Sequence, residues 1–599
     1  MRESLRSRFH PSDGGGRAWL APDSRAPLRA GSPVRLTLVY EVGPLGIARG
    51  GFVFLQVSPF WDWSSPQTEA PEAPGYTTVA PSAPDIRLDA RAADQQLLAI
   101  EVVGRSLAPG ERLTIVYGAG PARARSDRYA ERGSRFWFAV DGDGDRVRKL
   151  LADSPSVDVL AREPAQLVFT LPSTLRAGER FRATLALLDA VGNAGREIGG
   201  EIRIESPPAG LEMPERVALE PGQQGRVAFE GVAREPGLYR LRAIGPEGLR
   251  ATSNPMEVGP GPRVLWADLH GHSNLSDGSG TPDDYYRYAR DVAGLDVAVL
   301  TDHDHWGMLP LSTHPELFEE TRAASGRFHE PGRFVTLEGW EWTSWIHGHR
   351  HVLHFDDRAA IRSSVDPAYE SPTQLWQALA GTRALTFAHH SAGGPIATNW
   401  EIPPDPRFEP VTEIASAHGS SEAPDTPLGI HAPVAGNSVR DALRLRYRLG
   451  FVGSGDSHDG HPGLAQLASG GSGGLAAIVA EERTREAVYA ALVQRRCYAT
   501  NGPRILLRVA LDGHPMGAAV KARELARSAT LYLRVVAPEP LERVDLVRSG
   551  EIASSLDLEG RLEAELHTEV EGLEAGEYVY VRAVQRDGGA AWSSPIFAE

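Results

Sequence analysis

Apolar and polar positions alternate through the first quarter of the chain. Val34, Leu36, Leu38 and Tyr40 interleave with Arg35, Thr37 and Val39, the period of a half-buried strand. Phe52 to Val57 and Leu113 to Tyr117 repeat the pattern between Gly and Pro clusters, which predicts a β-sandwich-like N-terminal domain over 1–156. The pattern restarts around Pro155 to Pro164. Phe181, Ala183, Leu185 and Leu187 alternate towards Gly192-Asn193, and short strands follow to about Leu241. A smaller Ig-like sandwich over 157–258 is the simplest reading.

After the linker Gly259-Pro260-Gly261-Pro262, short apolar runs alternate with helix-like segments, the signature of an α/β region over 262–505. Thr281 can cap a helix with Pro282 at its first position and Asp283 and Asp284 in its first turn. Gly294 ends that helix, and Val297 to Thr301 forms the next strand. Beyond it Ala529 to Val536 and Tyr578 to Val584 alternate again, with a turn at Asp587-Gly588, so a C-terminal β-module is expected over 506–599.

A chain of 599 residues exceeds one ordinary core, which agrees with several domains. The net charge of −16 argues against a nucleic-acid binder, since phosphate contacts need clustered Lys and Arg. Cys497 is the single cysteine, which excludes an intrachain disulfide and a Cys-rich zinc module; it reads as structural. Met1 to Gly16 is polar and lacks the apolar core of a secretory signal. No run approaches the roughly 20 apolar residues of a membrane span. The expectation is a cytoplasmic protein with a small-molecule substrate and no membrane partner.

The chemistry sits where apolar strands of the α/β region end. Val264 to Ala267 leads to Asp268-Leu269-His270-Gly271-His272, and Val297 to Leu300 leads to Thr301-Asp302-His303. Phe334 to Leu337 leads to Glu338, and Ala384 to Ala388 leads to His389-His390. Val411-Thr412 leads to Glu413 and then His418; Phe451 to Gly453 leads to Asp456-Ser457-His458. In a barrel of parallel strands these ends converge on the catalytic face. Imidazoles and carboxylates are ligands for Zn, Mn or Fe, and such a cluster would repel itself without cations. Each motif alone could be a polar loop or a cap; only as an ordered set do they point to a metal centre.

The set His270-Gly271-His272, Ser276-Asp277-Gly278, Thr301-Asp302-His303, Glu338, His389 and Asp456-Ser457-His458 resembles the polymerase-and-histidinol-phosphatase (PHP) superfamily. Within it, the flanking β-modules and Arg496 to Arg504 resemble the carbaryl-hydrolase-like (DUF3604) metallohydrolases. The resemblance implies a multidomain chain whose α/β part is a distorted seven-stranded (β/α) barrel flanked by β-sandwich modules. It also implies two or three divalent ions (Zn, Mn or Fe). By position, His270, His272, Glu338 and Asp456 would hold one ion. Glu338 would bridge to a second, held by His389 and by His418, with Glu413 as the substitute for His418. Asp277, His303 and His458 would hold a third, Asp277 standing where some relatives use His. Two ions roughly 3.5–4 Å apart would bind a bridging hydroxide that attacks the scissile group. The residues nearest the reaction would be Glu338, Asp456, His303 and His349. His349 is singled out from the stretch His347, His349, His351 and His354 as a substrate or leaving-group contact.

The leading expectation is hydrolysis of a small ester, amide or carbamate. A phosphoesterase is the competing enzyme, with Arg350 and Arg504 as possible phosphate donors. A binding protein built on the β-modules with a structural metal is the third; it accords poorly with about nine ligands, since structural sites are closed around one ion. Asp141-Gly142-Asp143-Gly144-Asp145 has the look of a calcium loop, but Arg146 replaces the required Gly and Ala152 the bidentate Glu, so it reads as a turn. His461 reads as a loop residue, and Trp340 and Trp342 as either pocket lining or packing.

Overall fold

The computed structural model describes residues 9–58, 62–93, 96–151, 153–357, 359–468 and 472–599. Ala152 and the first eight residues of the segment read for a signal lie outside them. The chain divides into two compact units, residues 1–162 with 279–281, and 163–278 with 282–599.

The first unit is built of β-strands with one short 3-10 turn at Pro22–Ser24 among its described residues. One sheet orders Arg17–Leu20, Leu36–Glu41, Arg112–Tyr117 and Thr77–Pro81; another centres on Phe52–Gln56 between Trp137–Asp141 and Leu97–Val102. The period-2 alternation does what it predicts: Val34, Leu36, Leu38 and Tyr40 all turn into one core with Val53, Leu55, Ile100 and Phe138.

In the second unit, Gln166–Thr170, Arg180–Leu188 and Arg226–Ala233 pair antiparallel, and Phe169, Phe181, Leu185 and Phe229 build a core with Ile202 from a facing sheet. The α/β region follows: β1 (Val264–Asp268), α1 (Pro282–Asp291), β2 (Val297–Val299), α2 (Pro315–Phe328), β3 (Val335–Trp342), β4 (Arg350–His354), α3 (Pro372–Leu379), β5 (Ala384–Ala388), β6 (Val411–Ser416), α4 (Val439–Arg444), β7 (Gly450–Gly453), β8 (Leu475–Val479), α5 (Arg485–Val493) and β9 (Cys497–Thr500). Helix α1 starts at Pro282 with Asp283 and Asp284 in its first turn, where the carboxylates complement the helix dipole. Gly294, which follows it, has φ +64°, and a Cβ there would lie 2.7 Å from Thr184 Oγ1. Only glycine fits both demands.

The result is multidomain and strand-rich, with few helices. The expected barrel of parallel strands is not what the ladders show. Strands run β5-β4-β3-β2-β1-β8-β9 in one sheet, which continues into the C-terminal strands Ala590–Ser593, Tyr578–Gln585 and Leu541–Arg548; β6 and β7 pair separately. No closed ladder exists among the described residues. The departure has a local cause: β4 is antiparallel to both β3 and β5, β8 is antiparallel to β1, and β3 returns to β4 by a hairpin where a uniform barrel would insert a helix. Among the described residues no helix is long and apolar enough to cross a membrane.

Candidate metal centre

The ends of β1, β2, β5 and β7 deliver side chains to one place, as the sequence pattern requires. Because β4 runs antiparallel to β3, its first residues arrive at the same end as the last residues of β3. The loop after β7 is tied to β1: Asp268 accepts hydrogen bonds from Gly455 N (2.8 Å) and Gly463 N (2.7 Å). Burial and these donors leave its carboxyl at about 6. Asp302 holds the loop after β1 by accepting from Ser273 N, Ser273 Oγ and Ser276 Oγ.

Asp456 occupies the middle. Its Oδ1 lies 3.0 Å from His270 Nε2, 3.5 Å from His272 Nε2 and 3.3 Å from His458 Nδ1. Its Oδ2 lies 3.1 Å from His418 Nε2 and 3.5 Å from His389 Nε2. Asp277 Oδ1 faces His303 Nε2 at 3.5 Å and His458 Nε2 at 3.4 Å. The residues expected at these positions therefore converge, His418 included.

Glu338 does not join them. Its carboxylate accepts from Ala359 N (2.8 Å) and pairs with Arg322 of α2 (3.2 Å). Glu341 stands in its place: Oε2 is 3.3 Å from His272 Nε2, 3.4 Å from His303 Nδ1 and 3.5 Å from His270 Nε2, and Oε1 is 2.7 Å from His349 Nδ1. Strand β3 does not stop at Leu337 but runs to Trp342, so its parity decides which carboxylate points inward. Glu338, Trp340 and Trp342 share the face turned to α2 and α3, where both tryptophans pack with Phe318, Leu375 and Trp376. Glu341, an odd number of residues away from Glu338, takes the other. The signal was present: two tryptophans two apart mark the packed face and exclude Glu338 from the opposite one.

Glu413 is not merely a substitute for His418, because both are in the centre. Glu413 lies 2.5 Å from His389 Nδ1 and 3.2 Å from His270 Nδ1, while His418 faces Asp456. His351, opposite Glu341 in register, lies against His270 with ring centroids 3.7 Å apart and the planes tilted by 41°. His351 on β4 and His349 just before it are both buried, and both lie beside the centre. His390 Nε2 lies 3.3 Å from His349 Nδ1.

Among the described residues the centre holds four groups of possible ligands: His270, His351, His389 and Glu413; His272, Asp277, His303 and His458; His389, His390 and His418; and His270, His272 and Glu341. The donor set fits divalent cations. Imidazole nitrogens of His270 and His272 sit 3.1 Å apart in full burial, and both ring nitrogens of His351 lack a hydrogen-bond partner. In the apoprotein, burial opposes a charge on His270 and His272, yet the carboxylates, Asp456 foremost, hold both rings above their usual range, His272 at about 10. Burial likewise opposes ionisation of Glu341 and Asp456, and the surrounding imidazoles outweigh it. His351 goes the other way, its charge suppressed by burial and by His270.

His461 meets Asn193 at 3.1 Å and serves the loop. Asp141 folds back to accept from Gly144 N and Arg146 N, as a turn does; Asp143 and Asp145 lie with Asp13 in a small acidic group. Cys497 is fully buried, which pushes its thiol up to about 12.

An uncharacterized protein of Chlamydia pneumoniae is 26% identical over 530 residues, 82% of this chain and 84% of its own. Uncharacterized proteins of Chlamydia trachomatis and Chlamydia muridarum are 24% and 23% identical over the same shares. Among solved structures, a two-domain protein containing a predicted PHP-like metal-dependent phosphoesterase from Bacteroides vulgatus aligns with 56% of this chain and 95% of its own, at 15% identity and a TM-score of 0.31. The model of the family described as protein of unknown function (DUF3604) matches residues 301–426 and 462–530. Those segments contain His303, Glu341, His349, His351, His389, Glu413 and His418. Over these two segments the chain is similar to the DUF3604 family.

Proposed function

We propose that this chain is a metal-dependent hydrolase acting on a small ester, amide or carbamate. One observation carries the reading: the two oxygens of Asp456 face different histidines, His270, His272 and His458 on one side and His389 and His418 on the other. A carboxylate so placed suits a centre of more than one ion. His270, His272, Glu341 and Asp456 would hold the first, Asp456 with His389, His418 and Glu413 the second, and Asp277, His303 and His458 a third. Bound divalent ions would supply a water of lowered pKa and polarise the scissile group. The chain's own part is to fix these ligands before substrate arrives. Asp268 and Asp302 set the loops, Thr343 Oγ1 at 2.7 Å fixes the His303 ring, and His349 stands beside Glu341 to meet the leaving group. The sheet β5-β4-β3-β2-β1-β8-β9 and the β6-β7 pair would form the broken wall of a distorted barrel.

A carbonyl substrate is favoured over a phosphoester by the arginines. Arg350 is spent on Glu409 (2.9 Å) and the His347 carbonyl, and Arg504 on the carbonyls of Ala293 and Gly294. Arg350 Nη2 has no hydrogen-bond partner, but Arg350 stands on the β4 face opposite His351, over the Trp376 ring and away from the histidines. The test is elemental analysis of the purified protein, paired with a screen of nitrophenyl esters and carbamates against nitrophenyl phosphates. Two or three ions per chain and ester or carbamate turnover lost on chelation are expected. At most one ion, with no hydrolysis that chelation abolishes, would refute the hydrolase; turnover of phosphates alone would refute the carbonyl substrate.

A further inference from the structure

The loop that carries Asp456 and His458 is stitched to the end of β1 on its inner side. Asp456 N donates to the His270 carbonyl (3.0 Å), and the Ser457 carbonyl accepts from His272 N (2.9 Å). Its outer side meets the β-module that precedes β1. The strand Arg180–Leu188 of that module ends in a turn whose Asn193 Oδ1 lies 3.1 Å from His461 Nε2. The orientation of the amide is fixed: Asn193 Nδ2 donates to Asp189 Oδ2 (2.9 Å), and an ionised carboxylate only accepts. The amide oxygen is therefore the atom that faces His461, and the ring nitrogen is the donor. Asp189 also accepts from Val191 N and Asn193 N at 3.0 Å, so one carboxylate shapes the turn.

The contacts continue inward. His461 Nδ1 faces Asp459 Oδ2 at 3.5 Å, Asp459 Oδ1 accepts from Ser457 Oγ at 2.6 Å, and Ser457 stands between Asp456 and His458. His461 N donates to Ser457 Oγ and to Asp459 Oδ1. Tyr288 of α1 holds the turn from the side: its hydroxyl donates to the Gly192 carbonyl (2.8 Å), and its ring lies 5.0 Å from that of His461. Gly192 has φ +94°, and a Cβ there would lie 3.3 Å from His461 Nδ1, so the close approach favours glycine.

Holding the module in place does not need this polar chain. Ala186, Leu188, Tyr288 and Val292 already form an apolar cluster across the two parts. Asp189, Asn193, Asp459 and His461 are all buried, where polar groups cost stability unless each is partnered in a definite geometry. What they add to apolar packing is direction, and the direction is towards Asp456 and His458. Asp456 holds a φ of +51°, which persists in a non-glycine residue only where the surroundings enforce it. The bonds to β1 act on the loop from inside, and the Asn193–His461 contact closes it from outside.

We infer that Asn193 and His461 are positioning residues of the metal centre: through them the β-module before β1 sets where Asp456 and His458 stand. This rests on the metal-dependent reading given above and assigns that module a part in it.

The experiment compares the wild type with Asn193→Ala, His461→Phe, His461→Gln and Phe229→Leu. His461→Gln keeps a donor for Asn193, and Phe229→Leu weakens the module's own core without entering the polar chain. Zinc affinity is measured on the metal-stripped proteins by competition with a chromophoric chelator. Asn193→Ala and His461→Phe should weaken zinc binding on the order of ten- to a hundredfold, the effect of losing a group that orients ligands. His461→Gln should recover most of the affinity, and Phe229→Leu should lower the melting temperature with affinity unchanged. Affinity that falls only in step with melting temperature across the variants, or that falls in none, would overturn the assignment. Hydrogen exchange of the amides of residues 455–463 in the metal-free proteins should be faster in Asn193→Ala and His461→Phe than in the other variants, and equal rates in all would overturn it. If the wild type binds no zinc, the metal-dependent reading fails, and hydrogen exchange alone decides whether the two residues hold the loop.

Discussion

At the scale of single residues, a carboxylate's role depends on the strand face it occupies. Glu338 and Glu341 differ by three positions and by their whole environment: one pairs with Arg322 outside the centre, the other faces four imidazoles within it. Glu341→Gln should therefore lower metal content and cut hydrolysis by about a hundredfold or more, the scale seen when metal-site groups are lost. Glu338→Gln should keep the metal and cost roughly 1–3 kcal/mol of stability, since it weakens a buried charged hydrogen bond. Elemental analysis and thermal melting of the pair check this, and metal lost only from the Glu338 variant would reverse the assignment. His354 supplies a pH dependence of its own. Burial, countered by Asp356 and reinforced by Arg362, takes its ring down to about 4, and it stacks on Trp340 away from the centre. The unfolded chain takes up this proton near pH 6.5 and the folded chain only near 4. Stability is thus fully present above 6.5, falls as pH drops through that window, and levels off below it. The integrated loss is about 3 kcal/mol. Denaturant melts from pH 7 to 4 should show it, and His354→Phe should flatten the slope; an unchanged slope would remove His354 as the cause. Cys497, buried with its thiol near 12, should resist thiol reagents in the native protein and react after unfolding.

At the scale of elements, the ligands most legible in the sequence were those just past a strand end. His270, His272, His389, Asp456 and His458 follow short apolar runs whose ends the composition marks, and all five converge. Ligands within strands were harder to read, because their direction depends on where the strand ends and which way it runs. Glu341 lies inside the eight-residue β3, and His351 lies in a strand that runs against its neighbours. A pattern built on parallel strands has no place for such a hairpin. The same long-range pairing hides how the C-terminal module is fastened. Arg582 on Tyr578–Gln585 is fully buried between Asp545 (2.9 Å) and Glu422 (3.0 Å), and Glu422 also accepts from Trp592 Nε1 and Tyr580 OH. Glu422 comes from the segment just after His418, so this network anchors the second metal-facing loop to the module. Removing one member strands a buried charge, at about 3–5 kcal/mol. Arg582→Met should lower the melting temperature by several degrees and loosen metal held by His418 more than metal held by His303. Equal retention at both would mean that the module braces the fold without positioning the loop.

At the scale of the whole molecule, the grouped histidines and carboxylates of the centre belong to one unit. The first unit has its own core, from Leu20 to Val159, and among its described residues the one such group is the small acidic cluster of Asp13, Asp143 and Asp145. The second draws its ligands from both ladders of the α/β region, from the loop after β1 to the loop after β7. An ion binding the folded state alone stabilises it by RT ln(1 + [L]/Kd), about 4 kcal/mol at a thousandfold excess over Kd. That gain falls on the unit whose strands the ion ties together. Asp456 and His390 both have positive φ, +51° and +35°, a conformation that costs non-glycine residues on the order of 1–3 kcal/mol each and persists only where the surroundings enforce it. With cations removed, the clustered carboxylates and imidazoles must share protons instead, as His270 and His272 do when Asp456 and Glu341 hold them charged. A transition-metal chelator should therefore split the unfolding profile in calorimetry. The transition of the second unit should move down by several degrees, while that of residues 9–162 stays in place, and readdition of zinc or manganese should restore the first profile. A shift of both transitions, or of neither, would show that the cations do not secure this unit's fold.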